Sequence, residues 1–135
     1  AAKREFRRIL KPGGWVVLVW NDRLTTTSTF LAEYEQLLRT HATDYKIVNH
    51  REIDVDTIGA FYEPGELNIR TFDNRQLFDF EGLKGRFLSS SYSPEEGHPD
   101  HEIALSKLQE LFDKHNTGGK VAFEYDTLVY YGKME

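Results

Sequence analysis

The chain of 135 residues has no cysteine, which excludes a disulfide framework, a thiolate nucleophile and any cysteine-based zinc site. Such a chain suits a reducing compartment, and a cytoplasmic location is expected. Long apolar runs are lacking too. The longest, Trp15 to Trp20, is six residues, against the roughly 20 needed to cross a bilayer. The opening Lys3-Arg4-Glu5 is charged where a signal peptide would turn apolar, so a soluble protein with no membrane partner is expected. An excess of positive charge is also missing. Lys plus Arg number 17 and Asp plus Glu 22, a net charge of −5, and the basic residues are scattered rather than clustered. No nucleic-acid partner is expected of that distribution. What remains, 39% hydrophobic and 29% charged residues, is the balance of a folded chain with room for one core.

The first clear element is a helix end. Phe6, Ile9 and Leu10 share one stripe and basic residues fill the other face, with Arg7, Arg8 and Lys11 in the last turn where the helix dipole favours them. Pro12-Gly13-Gly14 stops the helix, and Trp15-Val16-Val17-Leu18-Val19-Trp20 follows at once. That run is apolar at every position, which predicts a strand buried on both faces in a parallel sheet covered by helices. Thr25 to Thr29 offers hydroxyls for a helix N-terminus, and Phe30, Leu31, Tyr34, Leu37 and Leu38 give a helical stripe to about Arg39.

Residues 40 to 65 are mixed, with Ile47, Val48, Ile53, Val55, Ile58 and Phe61 as isolated anchors. They are expected to form short helices and loop of the kind that often serves as a lid or substrate loop. Leu67, Ile69, Phe78 and Phe80 alternate with polar residues on either side of Asp73-Asn74, which fits one bent strand or a hairpin. Leu83, Phe87 and Leu88 form a short helix. Ser93-Pro94-Glu95-Glu96 has capping-box spacing, but Gly97 and Pro99 interrupt it, so the main helix is placed from near Pro99 to just before Gly118. Val121 to Tyr131 alternates with strict period 2 and is a strand.

Each chemically suggestive group has a plain structural reading beside it. Gly13-Gly14 lies between a helix and the next strand, whereas phosphate-cradling glycines lie between a strand and the next helix, so it reads as a turn. His98, Asp100, His101 and Glu102 could ligate a metal, but acids are common in a helix's first turn, and no metal site is assigned. Ser89 to Ser93 offers hydroxyls with no His or acid at an activating spacing, so no catalytic residue is assigned there. Trp20-Asn21-Asp22-Arg23 ends the apolar strand, at the edge of a sheet where ligands of open α/β folds bind, and it is equally an ordinary Asn/Asp turn.

Two stretches carry a resemblance. Glu5-Phe6-Arg7-Arg8-Ile9-Leu10-Lys11-Pro12-Gly13-Gly14 with Trp15 to Trp20 resembles the helix–LKPGG–strand passage joining the fourth helix to the fifth strand in class I S-adenosylmethionine-dependent methyltransferases. Gly85 to Pro94, with Phe123 to Gly132, is similar to the C-terminal part of the small-molecule branch of the trans-aconitate type. The resemblance implies an α/β fold: the C-terminal part of a Rossmann-like seven-stranded sheet. Residues 1–24 would supply the helix and fifth strand, 25–65 a substrate-side insertion or cap, and 66–135 strands six and seven with flanking helices. It also implies that the chain is a fragment, because the Gly-rich cofactor loop and the acid that holds the ribose do not occur in it.

By the same resemblance, the intact protein would use S-adenosyl-L-methionine to methylate a small molecule, and this part would be inactive alone. Trp20, Asn21 and Arg23 would border the substrate pocket, with Ser91 and Tyr92 near it, and no cofactor-binding residue carries over. The fifth strand of the family lies between the fourth and the seventh. Without the fourth, Trp15 to Trp20 would present an open apolar edge, through which the isolated chain is expected to form a homodimer. Two alternatives stay open: part of another Rossmann-like enzyme, and a non-catalytic binding or scaffold module built on the same fold.

Overall fold

Gly13 adopts φ 74° and Gly14 donates its amide to the Lys11 carbonyl at 2.9 Å, so Pro12-Gly13-Gly14 is a helix stop that feeds a strand directly. In the computed structural model, which describes residues 1–42, 55–90 and 93–134, this turn joins α1 (Ala2–Ile9) to β1 (Trp15–Arg23). There follow α2 (Thr29–His41), α3 (Val55–Tyr62), β2 (Asn68–Phe78), α4 (Phe80–Leu88), α5 (Pro99–His115) and β3 (Val121–Lys133). The anchors Ile47, Val48 and Ile53 lie outside the described residues.

The strands form a three-stranded antiparallel sheet in the order β1-β3-β2. Met134 donates its amide to the Gly14 carbonyl and Leu24 donates to that of Glu124, both at 2.9 Å, which sets β1 against β3 in opposite directions. The parallel pairing expected of β1 is therefore corrected: its neighbour is the antiparallel last strand. Its expected burial on both faces is corrected as well. Val16 is buried, while Trp15, Val17 and Val19 are 54%, 54% and 58% exposed. Among the described residues Val16, Leu18 and Trp20 pack into a core on one face of β1, and a run that is apolar throughout is half in contact with water.

The chain divides into two units. The first comprises Ala1–Asp22, His50–Asn74 and Asp126–Glu135. Its core is Val16, Ile58, Tyr62, Tyr130 and Met134, with Phe6, Leu10, Leu18, Trp20 and Phe61 packed against it. The cationic face of α1 closes the end of α3: Lys3 Nζ donates to the Ala60 carbonyl at 2.8 Å and Arg7 Nη2 to that of Glu63 at 3.0 Å. These carbonyls belong to the helix end that no intrahelical amide can reach. Fully buried Tyr62 places its hydroxyl 3.2 Å from the Val16 carbonyl and 3.3 Å from that of Tyr130, and burial raises its pKa. The chain passes very close to this ring at Gly132, where a Cβ would strike the Glu66 carbonyl and the Tyr62 ring.

The second unit comprises Arg23–Asn49 and Arg75–Tyr125. Helices α2, α4 and α5 pack against the inward residues of β3, Val121, Phe123 and Tyr125. Phe123 is fully buried, with the rings of Tyr34, Phe78 and Phe30 centred 5.0, 5.2 and 5.9 Å away. Each helix has a side-chain cap: Ser28 Oγ accepts from the Leu31 amide, Asp79 Oδ1 from Gly82, and His98 Nδ1 from Asp100. Pro99 occupies the first turn of α5, so the capping-box spacing two turns earlier starts no helix. The stretch expected as a bent strand or hairpin resolves as the single strand β2, exposed along nearly all its length as an edge, while Leu67 precedes it and Phe80, expected in the same alternation, opens α4 behind the Asp79 cap.

Alanine substitutions at two glycines of the first unit are expected to act in opposite directions. Gly132→Ala should cost about 2 kcal/mol, because the backbone and Tyr62 leave no room. Gly59→Ala, inside α3 with nothing within 4 Å, should gain roughly 0.5–1 kcal/mol. Urea unfolding of the two variants measures both.

Candidate functional site

The residues expected to border a substrate pocket are each engaged within the chain. Trp20 faces the first unit's core and stacks on Tyr130 with centroids 4.6 Å apart. Asn21 Oδ1 accepts from Thr127 Oγ1 at 2.6 Å and from Asn74 Nδ2 at 3.3 Å, a polar tie across all three strands. Arg23, in the second unit, donates from Nη2 to Glu35 Oε2 at 2.7 Å and lies over the Tyr34 ring, 5.0 Å from its centroid. Arg39 Nε approaches the other Glu35 oxygen at 3.4 Å, so a carboxylate only 7% exposed is held between two guanidinium groups. Ser91 and Tyr92 lie outside the described residues. The serines beside them donate to local carbonyls, Ser89 and Ser90 to Arg86 and Ser93 to Ser90, as at a helix end.

The other suggestive group is also tied down. His98 caps α5, His101 Nδ1 lies 2.9 Å from the Pro94 carbonyl, and Asp100 lies 3.9 Å from His41 Nδ1. Among the described residues no three His, Asp or Glu side chains converge to hold a metal ion. Nor does any described strand lead through a Gly-rich turn into a helix: β1 reaches α2 through Leu24 to Ser28, and β2 reaches α4 through Asp79. These residues do not fit a cradle for S-adenosylmethionine, and no step through that cofactor is assigned to them.

A cleft of about 500 Å³ in the second unit has the size and mixed lining of a small-molecule site. Its apolar side comes from Phe30 of α2, Leu77 of β2 and Val121 and Ala122 of β3. Its polar side comes from Ser28 and Thr29 at the start of α2, His115 at the end of α5, Arg75, Glu124, and the pair Thr117 and Lys120. That pair is fixed by a two-residue turn. Gly118 and Gly119 have φ 59° and 81°, and Thr117 and Lys120 exchange backbone hydrogen bonds of 2.8 and 3.2 Å. Two successive positive φ angles are the type I′ geometry that glycine permits and that matches the strand twist.

His115 is the most constrained of these groups. Its ring packs at 5.9 Å from that of Phe30, and Nε2 lies 2.7 Å from Glu33 Oε2, while Lys114 Nζ donates to Glu33 Oε1 at 2.7 Å. Lys114 and then His115 hold the Glu33 carboxyl below its ordinary range, so Glu33 is ionised at neutral pH. An ionised carboxylate only accepts, so Nε2 carries the proton, and in the neutral ring Nδ1 keeps its lone pair. Neither partner is marked by local spacing in the sequence, since 82 positions separate them. Of the local features of the sequence, the hydroxyl-rich Thr25 to Thr29 and the end of the main helix before Gly118 lie at the cleft.

Two outcomes follow for the acid-base groups. Glu35→Gln should lower stability by about 3 kcal/mol, because Arg23 would remain buried beside an uncharged partner; chemical denaturation checks it. The lowered Glu33 pKa stabilises the fold above the ordinary carboxylate range, and that contribution disappears as the pH falls through the folded value. Melting temperatures recorded from neutral pH to about pH 3 should therefore fall less steeply for Glu33→Gln than for the parent chain.

Compared with models of protein families and with curated proteins, the chain matches none.

Proposed function

We propose that the chain is the substrate-side part of a class I S-adenosylmethionine-dependent methyltransferase that acts on a small molecule. The observation that carries this reading is the position of the last strand. The resemblance places the seventh strand beside the fifth, and β3 pairs with β1, the strand that follows the LKPGG turn. Two further features support it. On the side away from β3, β1 has no strand partner among the described residues, which is where the fourth strand would pair. The exposed Trp15, Val17 and Val19 form an apolar face of the kind a helix layer covers. The cofactor would be held by residues outside this chain, and the chain alone would be inactive. A reducing cytoplasm suits its lack of cysteine.

Sequencing the coding DNA upstream of Ala1 tests the proposal. A strand, a Gly-x-Gly loop and an acid about 20 residues further on are expected within the preceding stretch. The longer product should then bind S-adenosylmethionine in calorimetry, and this chain should not. A stop codon and ribosome site directly upstream of Ala1 would overturn the enzyme reading in favour of a scaffold module, with the β1 edge open to pairing with a second copy.

A further inference from the structure

The cleft of the second unit presents one group of each kind that a small hydroxy acid needs. Lys120 is an ammonium whose side chain has no hydrogen-bond or ion-pair partner among the described residues, and the type I′ turn fixes where its stem leaves the backbone. His115 lines the same cleft with its tautomer set by Glu33, and its Nδ1 has no hydrogen-bond partner among the described residues. Phe30 and Ala122 line the same cleft and give it apolar surface on which a short carbon skeleton can rest. A cation, a hydrogen-bond acceptor of fixed direction and an apolar floor in about 500 Å³ make a selective set rather than a general polar surface.

We infer that this cleft binds a small hydroxy acid, with the carboxylate on Lys120 and the hydroxyl donating to Nδ1 of His115. Glu33 is a positioning residue: it reaches the ligand only through the imidazole, whose Nε2–H it holds. The titratable groups around the ring are Glu33 on α2 and Lys114 on α5, with Arg75, Lys120 and Glu124 around the cleft. Arg75 has interactions of its own and is not needed for the assignment. The inference stands on the cleft alone, whether or not the chain belongs to a methyltransferase.

The test uses the chain itself, without any methyl donor. Long-range nitrogen NMR of the imidazoles should show neutral His115 protonated on Nε2 and bare on Nδ1, and Glu33→Gln should mix the two tautomers. Glycolate and 4-hydroxybenzoate are the probes, and at least one should shift the His115 and Lys120 signals saturably. Lys120→Ala should weaken that binding roughly tenfold, the usual worth of a charge-assisted hydrogen bond. Benzoate, which keeps the carboxylate and loses the hydroxyl, should still move Lys120 but leave the Nδ1 signal in place. An Nδ1-protonated tautomer in the parent chain would overturn the inference. So would the absence of saturable shifts with both probes up to about 10 mM, or binding unaffected by Lys120→Ala.

Discussion

Every strand pairing in the sheet passes through β3. It is the last strand in sequence, yet it lies between the other two and supplies hydrogen-bond partners to both β1 and β2. The bonds from Met134 to Gly14 and from Leu24 to Glu124 join opposite ends of the chain, so the sheet cannot close until most of the chain has been ordered. Such pairing incurs loop-closure entropy before its contacts are gained, which places the entropic burden of folding on one strand. The residue pattern of β3 is fitted to that position. Val121, Phe123 and Tyr125 face the helices of the second unit, and Tyr130 faces the core of the first.

The two units meet the demands of burial by different means. The second is a helical layer centred on Phe123, with caps on each helix and a part-buried Arg23–Glu35 pair backed by Arg39. The first is smaller and relies on directed polar contacts around a narrow core: lysine and arginine of α1 on the end of α3, and the Tyr62 hydroxyl between two strand carbonyls. Its core is one-sided, and the opposite face of β1 carries tryptophan and valine into water. Exposed apolar residues scattered singly are ordinary, whereas Trp15, Val17 and Val19 stand together on one strand face.

Local chemistry made much of the fold legible. The PGG stop, the stripe of α2, the start of α5 at Pro99 and the period of β3 depend on residues within a few positions of each other, and the structure has them. Two features depended on neighbours that a sequence does not name. An apolar run specifies that a strand could be buried on both faces, not that both faces are covered, and β1 is covered on one. Asp73-Asn74 looks like a break until Asn74 is seen bonded to Asn21 and Gln76 to Tyr125, which carry β2 straight through. The site was the least legible part. Trp20, Asn21 and Arg23 sit at a strand end where ligands often bind, but each has found a partner inside the chain. His115 and Glu33, distant in sequence, meet only because α2 and α5 pack together.

The placement of the two tryptophans has a practical result. Trp15 is half in water, with the Lys133 ammonium 5.6 Å from the centre of its ring, and Trp20 is stacked on Tyr130. Both belong to the first unit, and the helical unit has only tyrosine and phenylalanine. Indole emission therefore reports on one half of the chain from two contrasting environments and is silent on the half that holds the cleft. Helical dichroism draws mainly on α2, α4 and α5, so the two optical signals divide the molecule between them, and their coincidence or separation on denaturation measures whether the units unfold as one.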